Sequence, residues 1–269
     1  MRIQAKKYET GALAGTVKVK VFLPDAYGEA NRFFPVLYMH DGQDLYQDID
    51  TNHGEESFRF LEYYRQFGKF LPQIIIVAVS APIDPNKRTS LYSPFVKHVS
   101  EPIKHYEQMI EGKGNEYLEW ITCVLKKDID REFHSNPMPE MTGLCGASTG
   151  GVNAIYASLV FGSVFQRIIA LSPSLGSWLE EFQPIMSKTT SDSLKTIKYL
   201  YMDVGSKEEG RFTNSVQFIK GCNLFGSFFT EHGLSENRMK YEIFENEEHK
   251  QSAWRMRFPD ALRWAFQDC

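Results

Sequence analysis

The stretch LCGASTGGVNAIYASL, residues 144–159, runs a short apolar segment into Gly-Ala-Ser-Thr-Gly-Gly and then begins a helical pattern at once. A strand that turns this sharply into a helix holds its central residue in a strained backbone conformation. The residues two before and two after it approach closely, where side chains would clash and glycine does not. Gly146 and Gly150 occupy those places, with Ser148 at the tip. The helix starts directly behind the serine, so its free N–H groups and positive dipole end face any negative charge that develops there. Glycine and serine are common, so the pentapeptide alone is only moderately specific. The apolar run before it and the helix after it favour an exposed nucleophile over a plain glycine-rich turn.

Working outward, short runs rich in β-branched and aromatic residues recur along the chain. Residues 3–8 and 17–23 alternate loosely, as half-buried antiparallel strands do. Residues 34–40, 74–80, 141–145, 168–172 and 198–204 are more uniformly apolar, the signature of parallel strands covered on both faces. Residues 239–245 form a more mixed strand, expected nearer a sheet edge. Helical patterns fall at 117–133, where Leu118, Ile121, Val124, Leu125 and Ile129 make an apolar stripe, and at 151–161, 213–232 and 260–266. Two leading strands followed by strand–helix alternation predict an α/β fold. Its sheet has about eight strands, mostly parallel, with helices on both faces.

No repeat, low-complexity tract or Pro/Gly linker divides the 269 residues, so one α/β domain spanning residues 1–269 is expected. Its one long irregular section, an insertion around residues 81–116, follows the C-terminal end of a strand. Ligands bind at that end in open α/β sheets, which makes it an active-site loop.

A content of 42% hydrophobic and 24% charged residues is that of an ordinary soluble globular protein. A net charge of -4 argues against a nucleic-acid partner, which would demand a basic face. No apolar run is long enough to span a membrane, and MRIQAKKYET has no signal-peptide core, so no membrane partner and a cytoplasmic location are expected. Cys123, Cys145, Cys222 and Cys269 lack zinc-ligand spacing and read as reduced thiols. His40, Asp41, His53 and Glu248 are scattered, with no ligand-spaced pair, so no metal or other cofactor is expected. Sequence does not fix the oligomeric state, and a homodimer is compatible with it.

A serine hydroxyl is a poor nucleophile until a base takes its proton. Only His232 and His249 of the seven histidines follow Ser148. His232 sits beside a glycine at a helix end, where solvated histidines are common. His249, in FENEEHKQSAW between the last strand and the last helix, is the better base. The acid to orient it falls in MDVGSKEEG. Glu208, past the Gly205-Ser206 turn, is the first choice; Asp203, still within the strand, and Glu209 stay open, because geometry and not spacing defines the role.

With these residues in place the chain resembles the esterase branch of the α/β-hydrolases. That branch holds enterochelin, feruloyl and acetyl-xylan esterases, S-formylglutathione hydrolases and mycolyltransferases. The likeness covers nearly the whole chain: LYMHDGQDLY at 37–46, RTSLYSPF at 88–95, GKGNEYLEWITCVLKKDID at 112–130, GASTGG, SPSLGSW at 172–178, DVGSKE and EEHKQSAWR. It implies Ser148 as nucleophile, His249 as base and an acid at Glu208. It also implies an oxyanion hole from the N–H of Thr149 and an N–H of Gly42 or Gln43 in the HDGQ turn. Many relatives carry Leu or Met where this chain has Thr149, but only the backbone N–H is required.

The expectation is therefore a serine carboxylesterase acting on a small-molecule ester, small or acyl-sugar or aryl, through an acyl-enzyme. An acyltransferase and a catalytically silent binding protein are the alternatives. Arg88, Tyr92, Trp178 and Trp254 are candidate substrate-binding residues. Arg88 reads as readily as a solvated charge, and the aromatics, with Tyr46, as simple core.

Overall fold

The computed structural model describes residues 2–11, 13–29, 31–51, 56–101 and 105–269. Eight strands form one sheet: β1 (Arg2–Glu9), β2 (Thr16–Leu23), β3 (Val36–Met39), β4 (Ile75–Val79), then β7 (Thr142–Ala147), β8 (Arg167–Leu171), β9 (Tyr199–Lys207) and β10 (Met239–Glu248). A separate hairpin pairs β5 (Val96–Glu101) with β6 (Tyr106–Glu111). The order across the large sheet is β1-β2-β4-β3-β7-β8-β9-β10. β2 is antiparallel to β1 and β4, and all later pairs are parallel.

The apolar runs alternate between two cores because successive side chains leave opposite faces of a strand. Val36 and Tyr38 enter one core with Val77, Leu144, Ile168 and Met202. Leu37 and Met39 enter the other with Ile76, Cys145, Ile169 and Tyr201. Helices Thr149–Val160 and Ser215–Glu231 cover the first face; Phe60–Phe67 and Gln251–Ala265 cover the second. At the edges, β1 carries Lys6 and Lys7, and β10 carries Glu242, Glu245, Glu247 and Glu248. Charged edges of this kind discourage strand addition.

Three expectations are corrected. Residues 81–116 are not irregular: they hold helix Pro85–Tyr92 and the β5–β6 hairpin. The helix has a readable start, with Asp84 accepting from Asn86 N–H at 2.8 Å and Pro85 in the first turn. The last helix begins at Gln251, nine residues before the expected 260, and accommodates Pro259 inside it. Within 117–133 a π turn at Ile121–Leu125 shifts the stripe, so Ile121, Leu125 and Ile129 are buried while Val124 is 47% exposed. No helix among the described residues is long and apolar enough to cross a membrane.

Candidate active site

β7 ends at Ala147, and Ser148 turns the chain at φ 59°, ψ −123° into the helix Thr149–Val160. A Cβ on Gly146 would lie 2.3 Å from the Gly150 carbonyl oxygen, so no other residue fits there without moving backbone. Gly150 is less constrained, since a Cβ would meet His40 at 3.4 Å, ordinary contact. Ser148 N–H donates to Leu171 O at 3.0 Å, tying the turn to the end of β8. As the first helical residue, Thr149 has an N–H with no intrahelical acceptor.

His249 follows β10 and Glu208 follows β9, which runs through Gly205 and Ser206 where the sequence had suggested a turn. The imidazole Nε2 lies 2.8 Å from Ser148 Oγ, and Nδ1 lies 2.5 Å from Glu208 Oε2. Phe218, at 4.8 Å between ring centroids, and Trp254, at 5.0 Å and nearly perpendicular, flank the ring. Glu208 is fully buried and accepts at Oε1 from Gly205 N–H (2.7 Å) and Ser172 Oγ–H (2.5 Å). Burial pushes its carboxyl up, but the hydrogen bonds and charge of His249, with those of Ser172 and Gly205, outweigh it and leave the pKa below the ordinary value. A carboxylate–imidazole–hydroxyl chain of this geometry can move the serine proton to the imidazole as the hydroxyl attacks.

Of the competing acids, Asp203 lies within β9 and turns its carboxylate to Ser172 N–H (3.0 Å) and Tyr201 O–H (3.2 Å). Burial raises it to about 6 against the opposing charge of Arg257. Glu209 lines the cleft, but the bond to His249 belongs to Glu208.

Facing the serine, Asp41 opens the HDGQ turn at φ 53°. Its carboxylate receives Arg88 Nε (2.6 Å) and Nη2 (2.7 Å), and its N–H donates to Tyr92 Oη at 3.0 Å. Gln43 Oε1 accepts from Ala81 N–H at 2.9 Å. Gln43 and Thr149 line the cleft with Ser148. Gly42 is not part of that lining; it packs against the next strand, where a Cβ would come 2.3 Å from the Ala78 carbonyl carbon. Behind the turn His40 is buried neutral, its pKa lowered to about 4 by burial, with Nε2 3.0 Å from Asn153 Oδ1.

The cleft holds about 360 Å³. Its inner wall is apolar, from Met39, Phe58, Cys145, Ala147, Leu171 and Trp254; its rim is polar, with Asp44, Arg88, Arg211 and Gln251. Burial and the Asp41 charge raise the Asp44 carboxyl to about 7. Arg88 and Trp254 thus reach the cleft as expected of substrate-binding candidates, although Arg88 is already paired with Asp41. Tyr92 and Trp178 do not: both are fully buried outside the cleft, as is Tyr46 at 1% exposure. Their flat apolar bodies fill the two cores, Tyr92 and Trp178 in the first and Tyr46 in the second.

Sequence reasoning gave no role to Phe218 and Asp44, which line the cleft, or to Ser172 and Arg257, which stand against Glu208. Ser172 lay within a recognised segment, but nothing local announces a partner 36 residues away. Among the described residues no three His, Cys, Asp or Glu side chains are grouped to hold a metal ion, and His53 lies outside the described residues.

This strand order, with a strained serine at the end of β7 and its histidine after the last strand, defines an α/β-hydrolase fold. The chain belongs to the family described as Putative esterase, whose model matches residues 10–265. It is similar to the uncharacterized protein YbbA of Bacillus subtilis (strain 168), with 26% identity covering 94% of each chain. Among solved structures it resembles the BES protein from Bacillus cereus, at TM-score 0.68 and 19% identity over 98% of this chain and 94% of that one. It also resembles an IroE-like serine hydrolase from Shewanella oneidensis, at TM-score 0.72 and 20% identity over 99% and 81%. The siderophore hydrolase EstA from Aspergillus nidulans gives TM-score 0.71 and 18% identity over 98% and 93%.

Proposed function

We propose that this chain is a serine carboxylesterase that cleaves small esters through an acyl-enzyme. The observation that carries the reading is the single imidazole hydrogen-bonded at one nitrogen to Ser148 and at the other to buried Glu208. Ser148 Oγ attacks the ester carbonyl while His249 Nε2 takes its proton. Glu208 holds the imidazole tautomer and stabilises the imidazolium. The oxyanion is received by the N–H groups of Thr149 and Gln43, whose residues line the cleft beside the serine. His249 then gives its proton to the leaving alcohol, and a water, activated by the same nitrogen, releases the acid and restores Ser148.

The cleft volume lies near the low end of the roughly 300–1,000 Å³ range of ligand pockets, which favours a compact ester. Its apolar inner wall suits a short acyl or aryl group and its polar rim a hydroxyl-bearing alcohol. The siderophore hydrolase among the structural relatives supports testing siderophore esters as well. The test is turnover of p-nitrophenyl esters of increasing acyl length, with feruloyl, glycosyl-acetyl and siderophore esters, by the wild type and by Ser148→Ala. Short esters should be turned over best, and the variant should be inactive; equal turnover by the variant would remove Ser148 from the scheme.

A further inference from the structure

Ser172 follows the end of β8 at a positive φ of 42°, a conformation that favours glycine, and its side chain is fully buried. Its hydroxyl oxygen has three partners: Glu208 Oε1 at 2.5 Å, Trp254 Nε1 at 2.8 Å and Arg257 Nη2 at 3.1 Å. An indole N–H and a guanidinium can only donate. They therefore take both lone pairs of Ser172 Oγ, and its one hydrogen has a single direction left, towards Glu208.

The same counting continues along the chain. Glu208 Oε1 receives Ser172 O–H and Gly205 N–H, so Oε2 is left for His249. With Glu208 an acceptor throughout, His249 must carry hydrogen on Nδ1 and present the Nε2 lone pair to Ser148 Oγ at 2.8 Å. Arg257, 3.9 Å from Glu208 and 3.5 Å from Asp203, places a buried cation between the two carboxylates. Ser172 N–H meanwhile donates to Asp203, so the backbone and side chain of one residue separate the two acids.

We infer that Ser172 is a positioning residue for the reaction proposed above. Its one-way hydrogen bond, directed by Trp254 and Arg257, fixes Glu208 as an acceptor and through it the tautomer of His249. The role rests on the esterase reading, but it has a readout that does not depend on turnover.

Ser172→Gly suits the positive φ and removes the hydroxymethyl group, so it deletes the hydroxyl without adding backbone strain. Its kcat should fall by about tenfold or more, the worth of one hydrogen bond to a charged group, with KM held within about twofold. In proton NMR the far-downfield His249 Nδ1 signal of the wild type should weaken or vanish in Ser172→Gly. It should also weaken in Trp254→Phe, which frees a lone pair and lets the hydroxyl turn. Unchanged kcat with an intact signal would overturn the inference, as would the absence of that signal in the wild type or a loss confined to KM. Should Ser172→Gly not fold, the signal in Trp254→Phe decides. Retained turnover in Ser148→Ala would instead defeat the esterase reading, leaving the NMR result to judge Ser172 by itself.

Discussion

The two walls of the cleft are built by different means. On one side the ends of β7, β9 and β10 deliver Ser148, Glu208 and His249, each within one residue of its strand, with Ser148 held in the turn that Gly146 and Gly150 permit. On the other side the 81–116 segment is held by contacts between distant residues. Arg88 pairs with Asp41, Tyr92 Oη receives Asp41 N–H, and Asn153 Nδ2 donates to Tyr92 O at 2.8 Å. A wall fixed by local strain should fail abruptly when its turn residues change, whereas one fixed by dispersed contacts should fail by degrees.

The sharpest break should come at Glu208→Gln. The amide no longer acts purely as an acceptor at His249 Nδ1, so the wrong tautomer is favoured and kcat should drop by roughly ten-thousandfold. The fold should survive, and kcat with circular dichroism checks both halves.

Next is a contrast within the turn at Ser148. Gly146→Ala forces a methyl to within 2.3 Å of the Gly150 carbonyl oxygen and should cost about 3 kcal/mol of stability with most of the activity. Gly150→Ala meets only ordinary contacts and gains helix propensity, so it should stay within about 1 kcal/mol of the wild type. Denaturant melts of the pair measure that asymmetry directly.

On the other wall, Arg88→Met leaves the Asp41 carboxylate without its two guanidinium bonds. The HDGQ turn should loosen, and kcat should fall by about ten- to a hundredfold, the loss expected for a misplaced oxyanion donor.

The smallest effect concerns pH. Burial and Asp41 raise the Asp44 carboxyl from 3.8 to about 7, so the folded chain keeps that proton longer than the unfolded chain. Below pH 3.8 both states hold it; between there and about 7 the unfolded chain ionises first and stability falls as pH rises. Asp44→Asn removes that loss. It should match the wild type at low pH and be more stable by on the order of 1 kcal/mol at pH 8, allowing for the group's partial exposure, in thermal melts.

The same contrast explains what could be read from sequence. The serine turn was legible because the Gly146–Gly150 approach is local, and chain order left only His232 and His249, of which the one between the last strand and the last helix meets Ser148. Glu208 could be named only as the first of three acids; whether it or Asp203 meets the imidazole depends on which way β9 turns its side chains. The β5–β6 hairpin was not legible because its strands are short, polar and paired only with each other. Tyr92 and Trp178 were misplaced because an aromatic residue carries no local mark of whether it faces a cleft or a core.

The most direct measurement is to treat the native protein with a fluorophosphonate and map the adduct by peptide mass spectrometry. A single adduct on Ser148, absent from Ser148→Ala, is the predicted result. A folded protein that cleaves esters while Ser148 stays unmodified, or that carries the adduct on another residue, would contradict the account.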